Sequence, residues 1–372
     1  MTFNELGIQP VLTETLNKQG ITSPTPVQQA VIPPFLEGTD LIIQAETGTG
    51  KTLAFLLPLI QSIDPETSAL QGLILAPTRE LALQITTVAE ALASLRHIQL
   101  LALYGGGRVS SQLKKLTQTP QLIVATPGRL IDHLDRESID LSNLRFFILD
   151  EADQLLLSGF KPEIEQIILK TPGHCQTLLA SATLPAKVKK LAYRYTFNPR
   201  YISVHQTSEV TPSIYQEMVP TTDRQKFPAL SIVLKEDNPY LAIIFCRTKR
   251  RANELYAKMK KLKLNADVIH SDIPQNKRER ILRRFRKGDL QFLIATDVAA
   301  RGLDINFITH VYNFDIPEDT ATYIHRIGRT GRAGETGYSC TFVAENDGEL
   351  LNAIEEKLNH PLERRIIKIG KK

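Results

Sequence analysis

Residues 41–63 read LIIQAETGTGKTLAFLLPLIQSI, which is an apolar strand, a glycine-rich turn and a helix-compatible run in succession. Glycines let the backbone N–H groups of such a turn point at phosphate oxygens, and the N-terminus of the following helix favours the same anion. A lysine then adds a point charge and a threonine hydroxyl suits Mg²⁺. The stretch predicts that a nucleoside triphosphate binds through its phosphates. The predicted loop consists of Ala45, Glu46, Thr47, Gly48, Thr49, Gly50, Lys51 and Thr52.

A second chemical signal is the acidic run Asp150-Glu151-Ala152-Asp153, which directly follows the apolar run 146–149. Ligands of parallel α/β sheets bind at the carboxyl ends of strands, so these acids are expected beside the phosphate loop. We interpret Asp150, together with Thr52, as a ligand of Mg²⁺, partly through water. Glu151 would orient or deprotonate the attacking water.

Length and composition indicate a soluble chain of more than one domain. At 372 residues it exceeds the usual size of a single core, and two domains are expected. The sequence has no apolar run long enough to span a bilayer, and its first residues lack a secretory signal. Its three cysteines are far apart and are interpreted as small buried residues. A cytoplasmic location is the resulting expectation.

The order of apolar runs predicts an α/β fold in two halves. Short apolar runs alternate with amphipathic stretches in each half, as in parallel, helix-covered sheets. Between them, 203–220 is polar and contains two prolines, so it was expected to form neither helix nor central strand. We predict an ATP-binding domain at 1–206, a linker at 207–214 and a second domain at 215–372. Eleven strands are predicted, at 41–44, 73–76, 100–104, 122–126, 146–149, 177–181, 241–246, 267–270, 292–297, 310–314 and 339–343.

Charge is distributed unevenly between these halves. Lys and Arg number 17 against 18 acids in residues 1–206, and 28 against 22 in residues 207–372, which gives −1 and +6. Most of the excess lies in 249–287, with 14 basic and 4 acidic residues. A polyanionic partner is indicated.

Together these segments resemble the DEAD-box RNA helicases of superfamily two, in their minimal bacterial-type form. The resemblance spans nearly the whole chain and implies two tandem RecA-like domains, each a mostly parallel sheet covered by helices and joined by a short linker. It also implies RNA-dependent ATP hydrolysis with Mg²⁺. The segment 1–29, with GITSPTPVQ at 20–28, is similar to the adenine-reading segment of this family. By this resemblance Gln28 reads the adenine edge, while Phe3 and Ser23 pack on the base.

Further segments of the family match both halves. In the first half the resemblance implies RNA-backbone contacts from Pro77, Thr78, Arg79, Gly106, Thr126 and Arg129. In the second half it implies RNA contacts from Arg247, Gln275, Arg278 and Thr296. Coupling of hydrolysis to strand separation is implied for Asp153, Ser181, Thr183 and His325. Asp304 would reach the ribose, and Arg329 with Arg332 would act as arginine fingers on the γ-phosphate, completing a catalytic set with Lys51, Asp150 and Glu151.

Helical spacing distinguishes Arg278 from its basic neighbours. At 100° per residue Arg278 shares a face with Ile281, Leu282 and Phe285, and phosphate would explain a cation at the head of that apolar stripe. The remaining cations are expected on a solvated face that attracts RNA only diffusely. These are Lys277, Arg280, Arg283, Arg284 and Lys287.

The sequence predicts an RNA helicase that opens short duplexes or remodels RNA–protein complexes when ATP and RNA close its two domains. Contacts to backbone, with 6% aromatic residues and no Trp, predict weak sequence preference. Two alternatives remain open at this point. One is an RNA clamp or annealing chaperone in which ATP times residence. The other, disfavoured by the adenine-reading segment, is a DNA translocase.

Overall fold

The structure, a computed structural model, divides the chain into two compact units, Met1–Thr207 and Ser208–Lys372. It describes residues 1–46, 48–106, 109–157, 159–204, 214–300, 308–331 and 336–368, without the side chains of 109, 111 and 298. The predicted linker, 207–214, lies outside the described residues except for its last position, which already begins a strand.

The first unit is a seven-stranded, fully parallel sheet with the strand order β3-β4-β2-β5-β6-β1-β7. Its strands are β1 (Leu41–Ala45), β2 (Gly72–Leu75), β3 (Leu100–Leu103), β4 (Leu122–Ala125), β5 (Phe146–Leu149), β6 (Gln176–Ser181) and β7 (Arg200–Val204). Its α-helices are α1 (Pro10–Lys18), α2 (Pro26–Leu36), α3 (Lys51–Ser62), α4 (Arg79–Ala93), α5 (Val109–Leu116), α6 (Pro127–Asp135), α7 (Ala152–Leu157), α8 (Lys161–Lys170) and α9 (Ala186–Tyr195), with a 3₁₀ turn at Ser94–Arg96.

The central strands are buried on both faces, which explains their continuous apolar runs. Successive residues of β1 alternate between two hydrophobic cores: Leu41 and Ile43 pack into one and Ile42 into the other. Helices cover both faces of the sheet. In such sheets ligands bind at the loops that follow the carboxyl ends of the strands.

The second unit repeats this plan with the order β10-β11-β9-β12-β13-β8-β14, again with every pair parallel. Its strands are β8 (Ile214–Pro220), β9 (Ala242–Phe245), β10 (Ala266–Ile269), β11 (Phe292–Ala295), β12 (His310–Asn313), β13 (Gly337–Val343) and β14 (Glu363–Arg364). Its α-helices are α10 (Lys226–Asp237), α11 (Lys249–Lys261), α12 (Gln275–Arg286), α13 (Asp297–Ala300), α14 (Thr320–Ile327) and α15 (Gly348–Leu358), with a 3₁₀ turn at Glu345–Asp347. Numbered within each unit, the two strand orders are identical.

The predicted fold class and all eleven predicted strands are confirmed within one or two residues at their ends. The interpretation of 203–220 was wrong at its C-terminal end, where Ile214–Pro220 forms a strand between β13 and β14 and pairs with β13 along seven residues. At its other end Ser203 and Val204 belong to β7, an edge strand. Strand β8 is stable although it contains polar residues and a proline. The buried carboxylate of Glu217 pairs with Arg365 at 2.9 Å, and Pro220 is the last residue of the strand. The short strand β14 was also missed.

Three smaller expectations can be compared with the structure. All three cysteines are buried, and burial raises the pKa of the Cys175 thiol to about 12, so they pack as small apolar groups. On α12, Ile281, Leu282 and Phe285 are buried, and the five flanking cations are exposed, as the helical spacing predicts. No helix in the described ranges is long and apolar enough to cross a membrane.

Candidate nucleotide and RNA site

Three adjacent strands of the first unit, β5, β6 and β1, carry the predicted hydrolytic segments at their carboxyl ends. The phosphate loop follows β1, the acidic run follows β5, and Ser181 ends β6. The other half of the same edge, formed by β3, β4 and β2, carries the loops with Gly106, Thr126 and Thr78. Because all strands are parallel, the sheet places both groups of segments along one edge.

The phosphate loop has the backbone geometry that its sequence predicts. Gly48 and Gly50 have φ angles of +85° and +92°, in the region that glycine enters without steric cost. The Thr49 hydroxyl donates to the Glu46 carbonyl at 2.8 Å and closes the turn. Lys51, the buried first residue of α3, donates through Nζ to the carbonyls of Ala45 and Glu46, both at 2.5 Å. Thr52 follows it on the first turn, and Thr47 lies outside the described residues.

The proposed adenine-reading segment contacts the phosphate loop directly. The Gln28 side chain accepts from the Thr25 N–H at 2.9 Å and donates to the Gly50 carbonyl at 3.2 Å. A Cβ atom at position 50 would lie 2.6 Å from Gln28 Nε2, so only glycine fits there. Ser23 is exposed, whereas Phe3 is only 3% exposed and packs in the hydrophobic core rather than on an open surface.

Opposite charges meet in a buried environment beyond the loop. Burial raises the pKa of the Asp150 carboxyl, against the Lys51 ammonium and the Glu151 N–H, which favour its ionised form. Burial likewise lowers the pKa of Lys51, against the neighbouring carboxylates of Asp150, Glu151 and Asp153. Each group therefore depends on the other for its charge. Glu151 itself has φ +49°, a left-handed conformation that few non-glycine residues adopt.

The donor set around Asp150 fits a magnesium ion bound together with phosphates. Oxygen ligands and one or two carboxylates are typical of Mg²⁺ in nucleotide sites, where phosphates and water complete the coordination. Burial disfavours the ionised form of Asp150, and a bound cation would favour it. The Thr52 hydroxyl lies on the first turn of α3. Among the described residues no group of three or more His, Cys, Asp or Glu side chains could hold a metal.

A buried hydrogen-bond network joins the acidic run to the end of β6. The Thr183 hydroxyl and N–H donate to Asp153 Oδ2 at 2.6 and 3.3 Å. Ser181 Oγ accepts from the Asp153 N–H at 3.2 Å and donates to the Thr183 carbonyl at 2.7 Å. The three residues grouped from the sequence as coupling residues of this unit are thus in direct contact.

The predicted RNA loops of the first unit lie on the other half of this edge. The Thr78 side chain caps α4, and the Arg79 guanidinium stacks 4.3 Å from the Tyr104 ring centroid. Gly106 is exposed with φ +82°, while Thr126 begins α6 and Pro77 is buried at the end of β2.

Sequence reasoning missed the groups that hold Arg129. Arg129 Nη1 donates to Gln112 Oε1 at 3.2 Å, and the same oxygen lies 3.1 Å from Nε2 of the buried His133. Gln112 Nε2 also donates to the Tyr104 carbonyl at 3.3 Å. Burial lowers the pKa of His133, which keeps the ring neutral. No local motif marks Gln112, since its partners come from two other segments.

In the second unit the predicted RNA residues lie at or near carboxyl ends of strands. Arg247 follows β9 and donates to the Ile316 carbonyl at 3.0 Å. Arg278 donates through Nη2 to the Ala299 carbonyl at 2.7 Å, and Gln275 begins the same helix, α12. Thr296 follows β11 but is buried.

The motif that includes the predicted arginine fingers is built around a residue with no predicted role. Arg326 is buried, pairs with Asp297 at 2.6 and 2.8 Å, and donates to Asn313 and the Asp315 carbonyl. The chain then turns so that the Arg329 N–H bonds to the Arg326 carbonyl, and Arg329 is 7% exposed. His325 lies in α14. Arg332 and Asp304 fall outside the described residues.

A second charged cluster, also unpredicted, follows β8. Lys226 is buried and lies 3.4 to 3.5 Å from carboxylate oxygens of Asp223, Asp315 and Asp347. Arg251 pairs with Asp315 at 2.6 Å. The side chains of this cluster line a cavity of about 310 Å³.

The fold defines a protein of two RecA-like units, and sequence comparisons name its family. Residues 25–191 match the model of the DEAD/DEAH box helicase family, and residues 225–334 match the helicase conserved C-terminal domain. An ATP-dependent RNA helicase, CshA, of Listeria monocytogenes is 44% identical over 95% of this chain and 68% of its own length. The Bacillus subtilis DEAD-box ATP-dependent RNA helicase CshA is 42% identical over 98% of this chain and 74% of its own.

Solved structures agree. Saccharomyces cerevisiae Dbp5 bound to RNA and ADP BeF3 matches with a TM-score of 0.90 at 31% identity, covering 98% of this chain and 95% of Dbp5. Mss116p bound to ssRNA and AMP-PNP matches with a TM-score of 0.88 at 31% identity, covering 100% of this chain and 80% of that one. The chain belongs to the DEAD-box ATP-dependent RNA helicases.

Proposed function

We propose that this protein hydrolyses ATP in response to RNA, and that closure of its two domains on both ligands opens short RNA duplexes or remodels RNA–protein complexes. The observation that carries the proposal is the shared edge of the first sheet. The proposed hydrolytic segments follow β5, β6 and β1. Along the same edge, the loops that follow β3, β4 and β2 supply backbone N–H donors and arginines.

The ATP part of the proposal rests on the contacts around Lys51. Its ammonium donates to two loop carbonyls and lies among carboxylates. A bound triphosphate would replace the neutral carbonyl acceptors by charged phosphate oxygens, which are stronger acceptors. Thr52 and Asp150 would hold Mg²⁺, which neutralises charge on the phosphates. Glu151 would orient or deprotonate the attacking water. Gln28 would hydrogen-bond to adenine. Because its side chain also donates to the Gly50 carbonyl, it would link binding of the base to the phosphate loop.

The RNA part rests on donors that suit a sugar–phosphate backbone. In the first domain Arg79 and Arg129 are positioned by Tyr104 and Gln112, and helix N-termini at Thr78 and Thr126 add backbone N–H groups. In the second domain Arg247, Gln275, Arg278 and Thr296 would grip the same strand. Such contacts read no bases, so sequence preference should be weak.

Coupling follows from the division of parts between the domains. The phosphate loop belongs to the first domain, while Arg329 and Arg332, the proposed arginine fingers, belong to the second. RNA that engages both domains would bring the arginines to the γ-phosphate. The network of Asp153, Ser181 and Thr183 would pass the change to the gripped strand.

The experiment compares duplex separation with RNA retention, using a short RNA duplex with ATP and with a non-hydrolysable analogue. Glu151→Gln is included because it should bind ATP and RNA yet turn over about 10²- to 10⁴-fold more slowly. Strand separation that requires ATP, together with ATPase stimulated by RNA and not by DNA, is expected.

Three results would contradict parts of the proposal. RNA retention without strand separation would identify a clamp or annealing chaperone. Equal stimulation by DNA would identify a DNA translocase. Normal RNA-stimulated hydrolysis by Glu151→Gln would remove that residue from its assigned role.

A further inference from the structure

Helix α9 and the edge strand β7 form a basic surface that the site described above does not use. Residues 184–204 contain five cations and no acidic residue. All five cations are exposed, and we call this surface the α9–β7 face. They are Lys187, Lys189, Lys190, Arg194 and Arg200.

Three of these cations form a row. Lys187, Lys190 and Arg194 are spaced i, i+3 and i+7, which places them on one side of the helix along roughly 10 Å. Arg194 lies 3.6 Å from Glu165 of α8 but remains 69% exposed. The adjoining side of α9 is buried through Val188, Leu191 and Ala192, so the row is mounted on an anchored helix.

Aromatic rings accompany the cations. Phe197 is 88% exposed, and Tyr193 and Tyr201 are also exposed. The turn that presents Phe197 is fixed, because the carboxylate of Asp40 accepts from the N–H groups of Phe197 at 2.7 Å and Thr177 at 2.8 Å. The backbone that carries the exposed Phe197 ring is therefore held in place.

The α9–β7 face is separate from the predicted RNA loops. Helix α9 begins three residues after Thr183, and β7 is the edge strand beside β1. The loops with Thr78, Gly106 and Thr126 belong to β2, β3 and β4, at the other end of the sheet. The first turn of α9 is close in sequence to the coupling network, whereas Phe197 is held beside Asp40 at the amino ends of β1 and β6.

We propose that the α9–β7 face binds single-stranded RNA as an additional surface, beyond the site of the proposed function. Lys187, Lys190 and Arg194 contact phosphates, and Phe197 stacks on a base. The cations select a polyanion, and the exposed rings favour one with unpaired bases over an acidic polypeptide, because every base offers a face for stacking.

The test compares two full-length triple variants that remove the same charge. Lys187→Gln/Lys190→Gln/Arg194→Gln removes the row, and Lys18→Gln/Arg136→Gln/Lys170→Gln removes three dispersed exposed cations of the same unit. Binding of oligouridylate of about 6 and about 20 nucleotides is measured against salt concentration. Removing the row should weaken 20-mer binding about tenfold and reduce the magnitude of its log–log salt slope by about 2, since each phosphate contact contributes roughly 0.7.

Two further arms make the result specific. Phe197→Ala should weaken 20-mer binding about fivefold or more without changing the salt slope. ATPase stimulation by the 6-mer should be the same in wild type and in all three variants. The proposal is overturned if the row variant binds the 20-mer as the dispersed variant does. It is equally overturned if polyglutamate competes as well as RNA and Phe197→Ala has no effect, which would indicate an acidic protein partner.

Failure of the proposed function gives a different pattern. If the 6-mer does not stimulate the wild-type ATPase, RNA-dependent hydrolysis is refuted while the binding comparison of the α9–β7 face still stands on its own.

Discussion

In both units the strand that comes first in the chain is followed by five residues and then by a helix that begins with a lysine. The loop is 46–50 before Lys51 in the first unit and 221–225 before Lys226 in the second. The first loop contains two glycines with positive φ, and its lysine donates to backbone carbonyls. The second contains no glycine, and its lysine is surrounded by three carboxylates.

The difference bears on the phosphate site that we propose in the first unit. A lysine at the head of the helix is present in both units, so the cation alone is insufficient. Lys51 donates to two loop carbonyls, which we propose that phosphate oxygens replace, whereas Lys226 already lies within 3.5 Å of carboxylate oxygens of Asp223, Asp315 and Asp347. The second unit then serves hydrolysis through other residues, which we propose to be Arg329 and Arg332.

The largest expected effect tests that division of labour. Arg329→Ala should lower RNA-stimulated kcat by about 10³-fold or more, as expected for an arginine finger. Binding of a fluorescent ATP analogue should change little, because the phosphate loop lies in the first unit. Since Arg329 is mostly buried, its unfolding midpoint is measured in parallel, with Arg329→Lys as the charge-preserving control. Near-normal hydrolysis would remove Arg329 from its proposed role and leave Arg332 as the candidate of the second unit.

The lysine pair gives a reciprocal test of intermediate size. Lys226→Met leaves the carboxylates of Asp315 and Asp347 buried without this cation and should cost about 3 kcal/mol of unfolding free energy. Lys51→Met should instead abolish hydrolysis with a smaller loss of stability, because burial favours the protonated form of Asp150, which needs no counter-charge once Lys51 is removed.

Urea unfolding and ATPase assays of both lysine variants provide the measurement, with Lys226→Arg as control. Equal destabilisation by the two methionine variants would refute the contrast between an available and a satisfied lysine.

The smallest effect concerns pH. Burial raises the pKa of Asp150 above its ordinary 3.8, so the folded state holds a proton that the unfolded state releases. Stability therefore falls as pH rises from about 3.8 through the folded pKa, and the cost is fully present above it. Asp150→Asn should be more stable than the wild type at neutral pH, lose that advantage toward pH 3.8, and lose hydrolysis throughout.

Unfolding is measured across pH for Asp150→Asn and for the exposed control Asp135→Asn. A gain that does not vary with pH, or a similar gain in the control, would contradict the assigned cause.

The sequence predicted the fold well because the signals involved are local. Buried parallel strands are written as short apolar runs, and the glycines and Lys51 of the phosphate loop are adjacent in the chain. Strand β8 was missed because its polar Glu217 is compensated by Arg365, almost 150 residues away. Gln112 and Lys226 were missed for the same reason, since their partners come from other strands and helices. Non-local pairing of polar groups leaves no periodic pattern to recognise.

The left-handed backbone at Glu151 also has a consequence for selection. A side chain in that conformation costs on the order of 1 kcal/mol, which glycine or asparagine would largely avoid. Screening random variants for heat resistance alone should therefore enrich replacements at this position. The selected variants would be more stable but, given the role that we propose for Glu151, inactive. Directed evolution of this protein therefore needs an assay of turnover in every round.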